Sequence, residues 1–258
     1  MMQRKKKILA VFFAAISASL FVPTLSKADE AIAITATECG LTECKSHTIT
    51  ANDVTGNKRI QVSGGRHKIT LDGVSIEATD GYSAFDITGG AEVELTLIGD
   101  NILKGANGCA GLHIPSDCSL TILGEGNLTA HGGNNGAGIG SQGVDGASGT
   151  VTISSTGTIE AYGGDTAAGI GGGQGGGCGK VTINSGTVKA YGGDGYTIKD
   201  PATGIESKKE GGTGIGTGGG GVGGGEIILK GGEVTAIGGM SNDEPQRNGI
   251  DCATLSSD

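Results

Sequence analysis

The chain has 258 residues, of which 54 are glycine, four are proline and none is tryptophan, and it carries a formal charge of −9. An acidic surface repels nucleic acid and anionic membranes, because binding to either relies on basic residues that release counterions. Glycine plus proline reaches 58 of 258 residues, below the roughly 25–30% that marks aperiodic low-complexity chain, and here a period is present.

In chain order, the first element is a leader. Arg4 to Lys7 form a basic segment, Ile8 to Val22 an apolar stretch, and Ser26-Lys27-Ala28 a small-residue cleavage site, the pattern of a secretory signal peptide. The fifteen-residue apolar stretch is short for a spanning helix. Cleavage after Ala28 leaves residues 29–258 with 13 basic and 27 acidic residues, a formal charge of −14. The expectation is a secreted or extracellular-surface protein with no membrane span after cleavage.

Next comes a repeated apolar triplet: Ile69-Thr70-Leu71, Leu95-Thr96-Leu97, Leu120-Thr121-Ile122, Val151-Thr152-Ile153, Val181-Thr182-Ile183 and Ile227-Ile228-Leu229, with starts 26, 25, 31, 30 and 46 residues apart. A second short strand follows, as in Asn127-Leu128-Thr129-Ala130, Thr158-Ile159-Glu160-Ala161 and Thr187-Val188-Lys189-Ala190. A glycine-rich third segment closes each unit and carries Phe85, Leu112, Ile139, Ile170, Ile215 and Ile250 at matching places. The alternation has period two, which indicates strands with one buried face. Glycine pairs between them supply the positive φ angles of tight corners. Two runs, Gly171 to Gly179 and Gly211 to Gly225, are dense enough in glycine to be read as mobile loops. The 46-residue gap holds a loop insertion at about 194–212.

A repeat of this length means stacked coils, each burying its apolar edge against its neighbours. The predicted architecture is all-β, a right-handed parallel β-helix, or β-solenoid, of about six rungs at ~4.8 Å spacing.

Six cysteines, Cys39, Cys44, Cys109, Cys118, Cys178 and Cys252, follow the leader. An even number in an oxidising compartment fits disulfides, of which Cys39–Cys44, Cys109–Cys118 and Cys178–Cys252 are one pairing among several. Buried free thiols are the other reading.

If Ile159 and Ala161 point inward, then Thr158, Glu160 and Tyr162 point outward. The same register predicts a column His131, Tyr162, Tyr191, Ile237 beside a column Thr129, Glu160, Lys189, Thr235 on one exposed sheet. Tyrosine rings stack on sugar faces, and Glu160, Lys189 and His131 supply hydrogen bonds to hydroxyls. The competing reading is a cross-strand aromatic ladder that binds nothing. A second expected column joins Thr70, Thr96, Thr121, Thr152 and Thr182, explained by β propensity on an exposed strand. Asn134, Asp165 and Asp194 follow the glycine pairs at equivalent places and are the only weak candidates for a calcium site. Common turn chemistry accounts for them as well. No organic cofactor is indicated, and no convergent acid and base or nucleophile motif supports catalysis.

The phrases Gly136-Ala137-Gly138-Ile139-Gly140 and Ala167-Ala168-Gly169-Ile170-Gly171, with Cys178 to Ile183 and Ala190-Tyr191-Gly192-Gly193, resemble glycine-rich repeats of secreted or surface proteins of clostridia-like bacteria. Some of those are described as carbohydrate-binding domain proteins. The resemblance covers roughly Ile69 to Ile250 and implies a pectin-lyase-like right-handed β-helix without evident catalytic residues. Lys104 departs from it, standing where the second strand has a small inward alanine. The expected function is a non-catalytic secreted or surface polysaccharide-binding protein, whose partner is a polysaccharide or cell-surface glycan. The alternatives are a structural or adhesive rod, an adhesin that meets other surface proteins, and a polysaccharide lyase or hydrolase.

Overall fold

A computed structural model describes residues 31–35, 46–54, 59–79, 81–143, 146–222, 224–241, 246–252 and 254–257. The leader, its cleavage site and the Cys39–Cys44 pair lie outside the described residues. Among the described residues there is no helix, and the strands stack as parallel coils of a β-solenoid with about seven turns. That is one more than the triplet count predicts. The strands Ile32–Thr35, Ser46–Thr50 and Ile60–Ser63 begin the stack, ahead of the first expected triplet.

Three sheet faces run along the solenoid. The third segments form one, from Ile32–Thr35 through Phe85–Thr88, Leu112–His113, Ile139–Gly140, Ile170–Gly171 and Ile215–Gly216 to Ile250–Asp251. Its inward residues align directly: Ile60, Phe85, Leu112, Ile139, Ile170, Ile215 and Ile250 are successive partners, and all but Ile250 are fully buried. From Phe85 to Ile250 this ladder was expected residue by residue, and Ile60 extends it by one coil. The first-strand face includes Arg66–Asp72, Glu92–Ile98, Ser119–Gly124 and Gly225–Leu229. The second-strand face includes Ser75–Glu77, Asp100–Lys104, Asn127–His131 and Glu233–Ile237. Thr150–Tyr162 and Gly179–Tyr191 run through both faces, with a register irregularity between Ile153 and Thr158 where the chain turns the corner.

The apolar core is one continuous column of Ile, Leu, Val and Ala inside these faces. Burial of that column is the main force holding a solenoid together, since each turn has only its neighbours to pack against.

The described residues of the glycine runs form regular turns that stack on one another, which the reading as mobile loops did not foresee. Gly172 N–H donates to Gly216, Gly175 to Gly219 and Gly218 to Gly176, so each loop hydrogen-bonds to the next. Gly140, Gly171 and Gly216 are direct partners at φ 145°, 128° and 142°. A Cβ on Gly171 would stand 2.1 Å from the Gly216 carbonyl oxygen. Glycine here buys a backbone-on-backbone contact that no other residue permits. The insertion forms an antiparallel hairpin of Tyr196–Lys199 and Glu206–Lys209.

Two registers depart from expectation. Leu120-Thr121-Ile122 stacks on Val93-Glu94-Leu95, two residues before the predicted triplet. A shift of two keeps the buried face buried, but it breaks the threonine column, so Thr121 sits opposite Glu94 and Thr96 opposite Leu123. Lys104 is not inward. It pairs in register with His131, while Leu103, fully buried, occupies the alanine position opposite Ala130. A bulkier core side chain had shifted the apparent alignment by one.

Cys178 and Cys252 form a disulfide across 74 residues of chain. Cys109 and Cys118 are not joined to each other. Each is a buried thiol, and burial pushes that of Cys118 up to about 11.

Candidate functional site

The second-strand face brings the predicted residues together in the predicted register. Successive partners on one column are Glu77, Lys104, His131, Tyr162, Tyr191 and Ile237, and on the next Ser75, Ile102, Thr129, Glu160, Lys189 and Thr235. Strand alternation places both columns outward because Ile159, Ala161, Val188 and Ala190 are fully buried beneath them.

The rings stack on one another. His131 and Tyr162 lie 4.7 Å apart between centroids, and Tyr162 and Tyr191 4.9 Å, each pair within 11° of parallel. Both faces of Tyr162 are therefore covered, leaving its edge and hydroxyl exposed to a ligand. Such pairs contribute about 0.5–1.5 kcal/mol beyond burial, so the rings form a cross-strand ladder, and in this arrangement Tyr162 has no open face for a sugar ring.

Beside the rings runs a polar clamp. Lys189 Nζ donates to Glu160 Oε1 at 2.9 Å, and the Tyr162 hydroxyl donates to Glu160 Oε2 at 3.2 Å. The hydrogen bond from Lys189 holds the Glu160 carboxyl below the usual carboxylate range, and the same bond raises Lys189. Burial, reinforced by the Glu160 charge, pushes the Tyr162 phenol up. Burial and then the nearby Lys104 charge pull His131 down, so at neutral pH its ring is uncharged. Glu160 is ionised there.

Next to the clamp lies an open groove of about 350 Å³, lined by Asp100, Asn101, Ile102, Asn127, Thr129, Thr158, Glu160 and Lys189. Its floor is fixed by hydrogen bonds. Asn127 Nδ2 donates to Asp100 Oδ1 at 2.7 Å, and Asn127 Oδ1 accepts from Thr158 N–H at 2.9 Å. Asn101, 1% exposed, accepts from Val74 N–H and donates to the carbonyls of Ile98 and Asn127. Asp100 and Ile102 were missed in the sequence because the register was misplaced at Lys104. The alternation in Asp100-Asn101-Ile102-Leu103-Lys104, with Leu103 inward, was the signal that locates them.

Asn134, Asp165 and Asp194 do occupy equivalent turns, but through backbone. Their carbonyls accept from Gly108, Asn135 and Thr166 N–H in successive coils. The Asp194 carboxylate accepts from Met240 N–H at 2.7 Å, and no group of three or more His, Cys, Asp or Glu among the described residues is placed to hold a metal ion. Among the described residues, no helix is long and apolar enough to cross a membrane.

No family model matches the chain, and no curated protein or solved structure matches it either.

Proposed function

We propose that the second-strand face is a non-catalytic binding site for a neutral polysaccharide, held in the groove between Asp100 and Lys189. The observation that carries this reading is the groove itself: Asp100, Asn127, Thr129, Thr158, Glu160 and Lys189 converge there. Such a set offers acceptors and donors for sugar hydroxyls, and exposed Ile102 adds an apolar patch for a ring. Glu160 and Lys189 neutralise each other and are held in place before ligand arrives, which lowers the ordering cost of binding. The resemblance of the Gly-Ile-Gly phrases to repeats of carbohydrate-binding proteins supports the same reading. Secretion, inferred from the leader, would place the face where glycans are met.

The rings serve as a wall. With its faces covered, Tyr162 offers its edge and hydroxyl, and the outer face of His131 bounds one end. The test is binding of the chain from residue 29 to a panel of neutral glycans, in calcium and in chelator, comparing wild type with Lys189→Ala and Thr129→Ala. Loss of binding in both variants, without loss of fold, supports the groove.

A second reading, a structural or adhesive rod, is favoured by one observation: the ring stack satisfies itself without a ligand. Retained attachment to cells with no glycan bound in the same assay favours it.

A further inference from the structure

The chain makes the same turn in three successive coils. Gly136 N–H donates to the Gly133 carbonyl at 2.8 Å, Ala167 N–H to Gly164 at 2.9 Å and Gly212 N–H to Gly193 at 2.9 Å. The first two bonds close over Asn134-Asn135 and Asp165-Thr166, whereas the third closes over the whole insertion. The coil is therefore complete without the insertion, which hangs from a turn that is already shut. Its own contribution to the stack is small. Every residue from 198 to 210 is exposed, and Tyr196–Lys199 with Glu206–Lys209 form a two-stranded sheet of their own. An isolated two-stranded hairpin is marginally stable in water, and the exposed Lys199–Glu206 ion pair at 3.4 Å adds little. Opening this hairpin costs far less than opening the coils beneath it.

Three lysines stand in the hairpin, Lys199, Lys208 and Lys209. Lys199 precedes Asp200 and Pro201, and Lys209 precedes Glu210. The Lys208–Lys209 bond alone has a lysine on both sides and no acid at the residue before or after the pair's first lysine. That is the bond an endopeptidase with a carboxylate in its specificity pocket takes, since the pocket pairs with a cation and repels an acid beside it. Basic residues elsewhere are less available. Lys68, Lys104, Lys180 and Lys189 lie within paired strands. Arg59 of the step Lys58-Arg59 has its carbonyl accepting from Ile32 N–H and is followed by fully buried Ile60. Lys230 stands in the short corner between two strands that both pair with Gly179–Tyr191, and its N–H donates to the Ile183 carbonyl.

The cut is made safe by what brackets it. The Cys178–Cys252 disulfide joins the chain on either side of the insertion, and Gly179–Tyr191 pairs with Gly225–Leu229 and Glu233–Ile237 across it. We propose that the Lys208–Lys209 bond is a processing site for an extracellular endopeptidase of lysine specificity, and that the processed protein persists as two chains joined by Cys178–Cys252. Water adds across the peptide bond, leaving a carboxylate on Lys208 and an amine on Lys209. No hairpin residue lines the second-strand groove, so the site does not depend on the reading of that groove.

The experiment is limited digestion of the folded chain from residue 29 with trypsin, read by intact mass with and without reductant, on wild type, Lys208→Gln and Lys199→Gln. The first wild-type product should gain the mass of a water, stay whole without reductant, and separate into residues 29–208 and 209–258 with it. Lys208→Gln should slow the first cut by roughly tenfold or more, because the pocket loses its charge partner, while Lys199→Gln leaves it unchanged. Hydrogen exchange of the cut protein should retain the protection of residues 181–183 and 188–190. A first cut at Arg59, Lys230 or a strand lysine, equal cutting of wild type and Lys208→Gln, or separation of the fragments without reductant overturns the proposal. Protein isolated from the cells that make it and from their medium should contain the two-chain form. Uncut chain alone would show a bond that is merely accessible and overturns its assignment as a processing site.

Discussion

The early and later coils solve the same stacking problem with different materials. In the early coils the core is bulky, with Phe85, Ile87, Leu95, Leu97 and Leu103 fully or almost fully buried. The outward columns there are knit by ion pairs, Arg66–Glu92 at 2.8 Å, Lys68–Glu94 at 3.6 Å and Lys104–Glu77 at 3.6 Å. In the later coils the inward second-strand position shrinks to Ala130, Ala161 and Ala190. Glycine turns hydrogen-bond directly from coil to coil, and aromatic rings take the column that Glu77 and Lys104 hold in the early coils, beside the ion pairs Lys189–Glu160 at 2.9 Å and Lys180–Glu226 at 3.0 Å. Side-chain volume holds the first region, while backbone contact and a disulfide hold the second. A flat sheet with short core residues and fixed polar side chains is the better platform for a ligand, and the proposed second-strand groove borders that region.

The largest expected effect comes from the Cys178–Cys252 bridge. Its loop of 74 residues implies stabilisation of about 4 kcal/mol in the chain-entropy model. Reduction should raise hydrogen exchange from about residue 178 onward and leave residues 60–104 protected. Uniform loss of protection would mean that the two regions are not separately held.

Gly171→Ala comes next. It places a Cβ against the next coil at a φ of 128°, and a cost of about 3 kcal/mol is expected, read as a fall in the urea midpoint. Leu103→Ala tests the other region. A cavity in the bulky core should cost about 2–5 kcal/mol. If Gly171→Ala proved neutral, the close backbone packing of the later coils would be wrong.

The smallest effect is electrostatic. The folded-state pKa of His131 is lowered, so its contribution to stability is complete above the unfolded value of 6.5 and is lost as pH falls through the folded value. For Glu160 the sign is the same, with the loss occurring lower, below 4.5. Lys189, raised, loses its contribution only as pH climbs past 10.5. The clamp should therefore be intact from about pH 5 to 9. An NMR titration of the His131 ring checks the first of these: a midpoint at or above 6.5 would contradict its burial against Tyr162.

The sequence carried the fold because its units repeat three signals, an apolar triplet, a second alternating strand and a third segment with one apolar residue, which reads Gly-Ile-Gly in three of the coils. Where those signals repeat with nearly the same residues, as in Val151-Thr152-Ile153 with Val181-Thr182-Ile183 and Ala161-Tyr162 with Ala190-Tyr191, the register is right to the residue. Where the core side chain changes size, it slips. Leu103 in place of alanine moved Lys104 inward on paper, and Glu92 to Ile98 offered two equally good triplets. The ring column was legible and mutual stacking of its rings was one of the two readings, but spacing along a chain does not reveal how rings tilt and so did not choose between them. The Cys178–Cys252 pair was visible as an alternative, whereas the buried thiols Cys109 and Cys118 could not be told from a local bridge without the third-segment corner between them.

The most direct test of the account is an affinity measurement on neutral oligosaccharides with wild type, Lys189→Ala, and a control, Thr152→Ala, on the first-strand face. The second-strand groove predicts at least tenfold weaker binding for Lys189→Ala and no change for the control. Equal affinities in all three proteins, or no neutral glycan bound by any of them, would contradict it.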